Sequence, residues 1–409
     1  MRLLSLALLG TSLLSLSFGL AETKVTSQAP SWVEIEGKQE FTGRLIVRPV
    51  QRLQHMAAGK TLEEAMALGV TARTHLARFE RLRHIPQTDE TLVIVPKGLS
   101  EQVLSDALMA TGLFQYATPD WLVFPCAPQQ SISPSTIRSV NSLDPVAASR
   151  RPVCPDDPLF SGQWHHEPHI MNSCLGWGVN TGDPAITVAV CDTGIRTTHE
   201  DLLLHRKEGY NAYDRLWESQ GGQVGPSPHS HGTLTTGAAA ANGNNGVGVS
   251  GVGWNLSHRM MRVSNLASGS APLSVLQHAA RVAIENGDRV ANVSYTGVQS
   301  PSNLTTATYM RSHGGILVWA ADNSSTDHSF ANRNDDDLIV VGASDSSDGL
   351  AWFSSFGSYV DLVAPGVGIS TPSAGSDQSY STPNGTSLSA PLASGHLAMI
   401  WSERPTLSP

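Results

Sequence analysis

Three short phrases along the chain carry side chains that together could transfer an acyl group. Val190-Cys191-Asp192-Thr193-Gly194 ends an apolar run over residues 186–190 in a carboxylate. His231-Gly232-Thr233 and Gly385-Thr386-Ser387 each open a small-residue segment that predicts a helix, the first with an imidazole and the second with a hydroxyl at its start. A serine hydroxyl is a poor nucleophile at neutral pH and must lose its proton as it attacks, so it needs a base within reach. Singly, each phrase is ordinary turn or helix-cap chemistry, because Asp, Gly and hydroxyl residues favour strand ends and helix starts. Their meaning comes from the order Asp, His, Ser and from spacings of 39 and 156 positions. Of the 15 histidines, His231 alone starts such a phrase, and His229 beside it is a decoy.

The three phrases in this order resemble the subtilisin-like serine peptidases, the subtilases. The resemblance implies Ser387 as nucleophile, His231 as the general base that later protonates the leaving amine, and Asp192 as the carboxylate that orients the imidazole. Ala320-Ala321-Asp322-Asn323 stands where the family has Ala-Ala-Gly-Asn, which gives Asn323 and the backbone N–H of Ser387 the task of stabilising the oxyanion. Asp322 in place of Gly implies a strained backbone or a negative charge close to that oxyanion. Ser294-Tyr295-Thr296-Gly297 resembles the family's Ser-Leu-Gly-Gly edge, against which substrate lies as an added strand. Ala320 and Ala321 are then the facing wall, and an apolar or broad preference is expected before the cut. The resemblance also implies a structural calcium ion on Asp157, Asp201 and Asn245, aided by the carbonyls of Gly243, Val247 and Val249. No organic cofactor is expected.

Short apolar runs at 187–191, 258–263, 290–294, 315–320, 338–342 and 360–364 alternate with small-residue helical stretches, which predicts an α/β fold with a mostly parallel sheet flanked by helices. In that architecture catalytic groups gather at the carboxyl ends of strands. A small α+β domain is expected over 22–125, from β-prone runs at 45–47 and 92–95 and a helix opened by Ser100, with Val103, Leu104, Ala107, Leu108 and Ala110 at helical spacing. Residues 112–121 resemble the last strand of a subtilase inhibitory propeptide, with Gln115 and Ala117 departing from the usual acidic residues. Residues 126–154, rich in Ser, Pro, Gln and Arg, read as an exposed linker holding the maturation bond, between about Pro125 and Pro155. The catalytic domain is expected over 155–409. Its last phrase, Arg404-Pro405-Thr406-Leu407-Ser408-Pro409, would in the family begin a further helix, so the sequence is either a fragment or an unusually short domain.

Met1-Arg2, the diluted apolar stretch that follows and Gly19-Leu20-Ala21 predict a removable export signal over 1–21, hence a secreted protein, extracellular or periplasmic. The alternative is a spanning helix. A net charge of −9 argues against a nucleic-acid partner, and no later segment has the ~18 apolar residues of a membrane anchor. The expected partners are protein or peptide substrates and the chain's own propeptide, with the enzyme a monomer. Cys126, Cys154, Cys174 and Cys191 permit three full pairings, and Cys191 reads as a packed free thiol. Glycosylation sequons begin at Asn255, Asn292, Asn303, Asn323 and Asn384, of which the last two fall inside catalytic phrases and read as accidental. Among rival classes, a sedolisin would need Asp at position 323, and an α/β-hydrolase would need a Gly-x-Ser-x-Gly elbow, which is absent from the sequence. A catalytically inactive subtilase-fold binding module stays open.

Overall fold

The computed structural model describes residues 32–126, 151–226, 228–328 and 337–409. The expected export signal and most of the linker lie outside these. Among the described residues no helix is long and apolar enough to cross a membrane.

The first part is a small α+β unit built on β1 (Gln39–Glu40), β2 (Arg44–Pro49), α1 (Arg52–Ala57), α2 (Leu62–Leu76), β3 (Arg81–Ile85), β4 (Glu90–Ile94), α3 (Glu101–Met109), β5 (Phe114–Pro119) and β6 (Leu122–Val123). Four strands form an antiparallel sheet in the order β3-β4-β2-β5. Leu45, Ile46 and Val47 of β2 are fully buried, and Leu45 and Val47 share a core with Ala72, Leu76, Val93, Leu104, Leu108 and Phe114. Helix α3 starts where the sequence placed it: the Ser100 hydroxyl accepts the Val103 N–H at 3.3 Å, while Val103 itself faces solvent.

The larger part runs through α4 (Ser173–Trp177), β7 (Thr187–Asp192), β8 (Tyr210–Asn211), β9 (Leu216–Trp217), α5 (His231–Ala240), β10 (Ser257–Arg262), β11 (Ala271–Pro272), α6 (Leu273–Glu285), β12 (Val290–Val293), α7 (Pro301–Ser312), β13 (Ile316–Ala320), β14 (Leu338–Ser344), β15 (Leu362–Pro365), β16 (Thr371–Pro372), β17 (Tyr380–Ser381) and α8 (Thr386–Glu403). The main sheet has the order β15-β14-β13-β12-β7-β10-β8-β9, parallel except for the β8–β9 hairpin. All six apolar runs lie in its strands, shifted by at most a few residues. Val188, Val190, Val290, Val318 and Val341 share a core with Ala238–Ala241 and with Leu388, Ala390 and Leu392 of α8. The alternation of a strand leaves the equally buried Ala189, Ala291 and Leu317 for α6 and α7. A sheet covered on both faces needs such continuous apolar strands.

Cys154 and Cys174 form a disulfide across 20 residues, and the Val153 N–H donates to the Cys174 carbonyl at 2.8 Å. The last residues of the expected linker are thus tied to the segment that follows it. Cys126 and Cys191 are buried free thiols.

Candidate functional site

Asp192 ends β7, at the carboxyl edge of the sheet, and is completely buried. Its oxygens are held from three directions: by the Thr193 N–H at 2.7 Å, by the Thr235 hydroxyl at 3.2 Å and by His231 Nδ1 at 2.9 and 3.0 Å. The imidazole reaches this carboxylate because two glycines let backbones touch. A Cβ on Gly194 would sit 2.1 Å from the Gly225 carbonyl, and one on Gly232 would sit 2.4 Å from the Gly194 carbonyl. Glycine at 232 lets the first turn of α5 rest on the loop after β7, and glycine at 194 lets that loop meet the segment at Val224 and Gly225. His231 Nε2 points away from Asp192, is buried, and makes no hydrogen bond.

Ser387 lies in the first turn of α8, and its hydroxyl is likewise buried and unpartnered. The structure therefore holds the Asp192–His231 pair closed and the Ser387–His231 contact open, as sites lacking a bound transition state often are. Pro391 stands four residues beyond Ser387 inside α8. Proline has no N–H, so the Ser387 carbonyl loses its helical donor. The Ser294 hydroxyl supplies the bond instead, at 3.0 Å, and so ties the nucleophile's helix to the Ser294–Gly297 edge.

Asn323 follows β13. Its side-chain oxygen accepts the Thr386 N–H at 2.9 Å and the Thr386 hydroxyl at 2.8 Å, which turns the NH2 group toward Ser387. A Cβ on Gly385 would lie 2.8 Å from Ser387 Oγ and 3.3 Å from Asn323 Nδ2, so donor and hydroxyl bracket one small space that the glycine keeps clear. Asp322 takes φ +80°, the left-handed region its family glycine would suit, and the strain expected from the substitution is present. Its charge is well managed. Burial pushes the carboxyl up, but His328, the Ser324 hydroxyl at 2.5 Å, nearby Lys38 and the Asn323 N–H at 2.7 Å outweigh burial and hold it below the usual value.

The cleft edge is occupied by the chain itself. β6 runs antiparallel between β1 and β11, with Val123 opposite both Gln39 and Ala271. Beyond it the Phe124 carbonyl accepts the Thr296 N–H at 3.0 Å, Pro125 pairs with Tyr295, and the Cys126 N–H donates to the Ser294 carbonyl at 3.0 Å. Thr296 turns its departure from the family glycine to use: its hydroxyl accepts the Phe124 N–H at 3.1 Å and donates to the Lys38 carbonyl. Gly297 has φ +85°, and a Cβ there would strike Val123 at 2.6 Å. Tyr295 instead points inward, completely buried, with its hydroxyl on the Gly269 carbonyl at 2.7 Å. Ala320 and Ala321 are buried at the end of β13. Sequence reading missed Thr235, which braces Asp192, and Asn303, whose amide donates to the Gly297 carbonyl at 2.9 Å. These cross-element contacts leave no local signal. Asn292, Asn303 and Asn384 are all buried, so those three sequons, like the one at Asn323 in the cleft, offer no room for a glycan.

Asp157, Asp201 and Asn245 also come together. Asp157 accepts the N–H groups of Asn244 and Asn245 at 2.9 and 3.0 Å, and Asp201 accepts Asn245 Nδ2 and the Val249 N–H, both at 2.9 Å. Burial pushes the Asp201 carboxyl up to about 6, with Asp157 adding to the rise, and neither carboxylate has a basic ion-pair partner among the described residues. Gly248, at φ +52°, admits no Cβ, because one would fall 2.1 Å from Asp201 and 2.0 Å from the Tyr380 hydroxyl. Two buried carboxylates beside a glycine-rich loop are the kind of ligand a hard cation takes, but the loop turns backbone N–H groups and Asn245 Nδ2 toward them, and Asn245 Oδ1 accepts the Val247 N–H at 3.0 Å. No group of three or more His, Cys, Asp or Glu side chains gathers among the described residues, so such a site would depend on backbone and amide oxygens for the rest.

A parallel α/β sheet with Asp, His and Ser converging at its carboxyl edge defines the class of subtilisin-like folds. The subtilase family profile matches residues 183–409, and the chain belongs to that family. It is 32% identical over 251 residues to the thermophilic serine proteinase of Bacillus sp. strain AK1, a match covering 61% of this chain and 60% of that one. It is 29% identical over 250 residues to thermitase of Thermoactinomyces vulgaris, covering 61% and 86%. Among solved structures, fervidolysin from Fervidobacterium pennivorans, a keratinolytic enzyme related to subtilisin, aligns with TM-score 0.65 at 20% identity over 92% of this chain and 57% of its own, a likeness of fold. The match thus spans less than two thirds of the Bacillus proteinase.

Proposed function

We propose that the chain is a secreted serine endopeptidase made as a self-inhibited precursor. The observation that carries this reading is the segment after β6, residues 124–126, paired antiparallel with Ser294–Thr296 where a substrate would lie, beside a closed Asp192–His231 pair and a buried Ser387. Ser387 Oγ attacks the substrate carbonyl, His231 takes its proton and returns it to the leaving amine, and Asp192 keeps Nδ1 protonated and offsets the imidazolium charge. Asn323 Nδ2 and the Ser387 N–H receive the oxyanion. Ser294 and Thr296 bind the substrate main chain, and Gly297 leaves room for a side chain three residues before the one cut. Residues 33–126 act as the inhibitory propeptide. A calcium ion held by Asp157, Asp201 and Asn245 would tie the segment after the linker to the core, a structural task outside the reaction.

Labelling with a fluorophosphonate tests the reading. Precursor freed of residues up to 126 should label at Ser387 and hydrolyse an added peptide, and Ser387→Ala should do neither. A folded, freed protein that neither labels nor hydrolyses would be the inactive binding module instead.

A further inference from the structure

We infer that the first bond the precursor cuts in itself is the peptide bond on the carboxyl side of Cys126, so that the released fragment ends at Cys126 and the enzyme part begins at Ala127. The inference rests on the endopeptidase reading and adds to it the register. Two hydrogen bonds fix that register. The Thr296 N–H donates to the Phe124 carbonyl, and the Cys126 N–H donates to the Ser294 carbonyl, each at 3.0 Å. In an extended strand a residue's N–H and C=O face the same edge and the next residue's face the other. The carbonyls of residues 124 and 126 therefore face the Ser294–Thr296 edge, while that of Pro125 faces away. The Phe124 carbonyl is already held by Thr296, which leaves the Cys126 carbonyl at the end of the edge nearest the nucleophile. Ser294, its pairing partner, also bonds the Ser387 carbonyl at 3.0 Å.

Surroundings of Cys126 agree with this placement. The residue is 1% exposed and shares a buried cluster with Ala320 and Leu388, the latter next to the nucleophile. Its thiol is pushed well up chiefly by burial, with the charges of Asp322 and Asp192 adding to the rise. The strand upstream is anchored. Trp121 accepts the Leu273 N–H at 2.8 Å, and the Asp120 carboxylate accepts the Ser274 N–H and hydroxyl at 2.8 and 2.9 Å at the start of α6. A slip by one residue would break these bonds and turn every side chain to the other face.

The chemistry balances with water as the only co-reactant. Ser387 Oγ bonds to the Cys126 carbonyl carbon as its proton passes to His231 Nε2. The C–N bond to Ala127 then breaks, and that proton leaves on the new amine. Water, deprotonated by His231, attacks the ester, giving the Cys126 carboxylate and restoring the Ser387 hydroxyl.

The test is to let the purified full-length precursor process itself in water enriched in oxygen-18 and to read the earliest fragments by mass spectrometry. The released N-terminal piece should end at Cys126 and carry one heavy oxygen in its new carboxylate, whatever later trimming occurs at the other new end. Ala127→Pro, which replaces the leaving amine with a cyclic one, should slow this cut at least tenfold. Should wild-type protein label at Ser387 and hydrolyse an added peptide while its first fragment ends elsewhere, the Cys126 assignment is overturned and the endopeptidase reading stands. Absence of any hydrolysis overturns both. A fragment ending at Cys126 that also forms at the wild-type rate from pure Ser387→Ala would overturn self-cleavage.

Discussion

Both lone-pair directions of the Asn323 side-chain oxygen are taken by Thr386, so the NH2 group cannot rotate away from Ser387 without breaking two hydrogen bonds. Such a donor is set in place before charge develops and acts mainly on the transition state. Asn323→Ala should therefore lower kcat by about 10²–10³ with little change in KM, a magnitude taken from the homologous donor of subtilisin. Steady-state kinetics on a chromogenic peptide checks it, and a loss confined to KM would reduce Asn323 to a binding group. The residues that meet at the candidate site were legible in the sequence because each needs particular neighbours in the chain: Gly232 for the close approach of His231 to Asp192, Gly385 for the space beside Ser387. Thr235 and Asn303 were not legible, since each acts on a residue of another element. Asp322 was legible as a departure. The sequence did not reveal its compensation, because His328 and Lys38 approach it only in the fold.

At the scale of elements, long apolar strands declared themselves, while the strands that fill the cleft did not. β1, β6 and β11 have two residues each, too few for any periodicity, and exist because they pair with one another. The contact between the small unit and α6 and α7 is equally hidden. The Tyr116 hydroxyl donates to Glu90 at 2.7 Å and lies 2.9 Å from the Thr305 hydroxyl, while Arg281 reaches Glu90 at 3.9 Å and Thr306 at 2.9 Å. Glu90 and Arg281 are almost entirely buried, and burial pulls the guanidinium below its usual range while Glu90 opposes the shift. Removing one charge from a buried pair leaves the other without compensation, a cost of about 2–5 kcal/mol when the pair spans an interface. Glu90→Gln should accordingly speed separation of the small unit from the rest after cleavage by tenfold or more. Size-exclusion chromatography of the cleaved Glu90→Gln complex over time measures this. An unchanged rate would show that the strand in the cleft, and not this buried cluster, holds the two together.

Over the whole molecule, the segment after the linker is joined to the larger core at several separate points. The Cys154–Cys174 disulfide closes it on itself, the Leu159 N–H donates to the Gly248 carbonyl at 2.9 Å, and Gln163 exchanges two 2.8 Å bonds with Ser250. Asp157 reaches the loop at Asn244 and Asn245, and the same loop meets Asp201. Two buried carboxylates lie here without a basic partner among the described residues, and burial first, with the Asp157 charge adding, raises the pKa of Asp201. A divalent cation would offset their charge and would bind only where segment, loop and Asp201 are assembled, that is, in the folded state. Mass action then adds RT ln(1 + [L]/Kd), about 2.7 kcal/mol at a hundredfold excess over Kd. Ser387→Ala protein freed of its first 126 residues should thus melt several degrees higher in excess calcium than in chelator, and Asp201→Asn should abolish most of the difference while retaining the hydrogen bond to Val249. Differential scanning calorimetry of both variants in both buffers decides it. Equal midpoints with and without calcium in the Ser387→Ala protein would mean that the hydrogen bonds from Asn245 and Val249 to Asp201, and from Asn244, Asn245 and Ser250 to Asp157, satisfy the carboxylates without an ion.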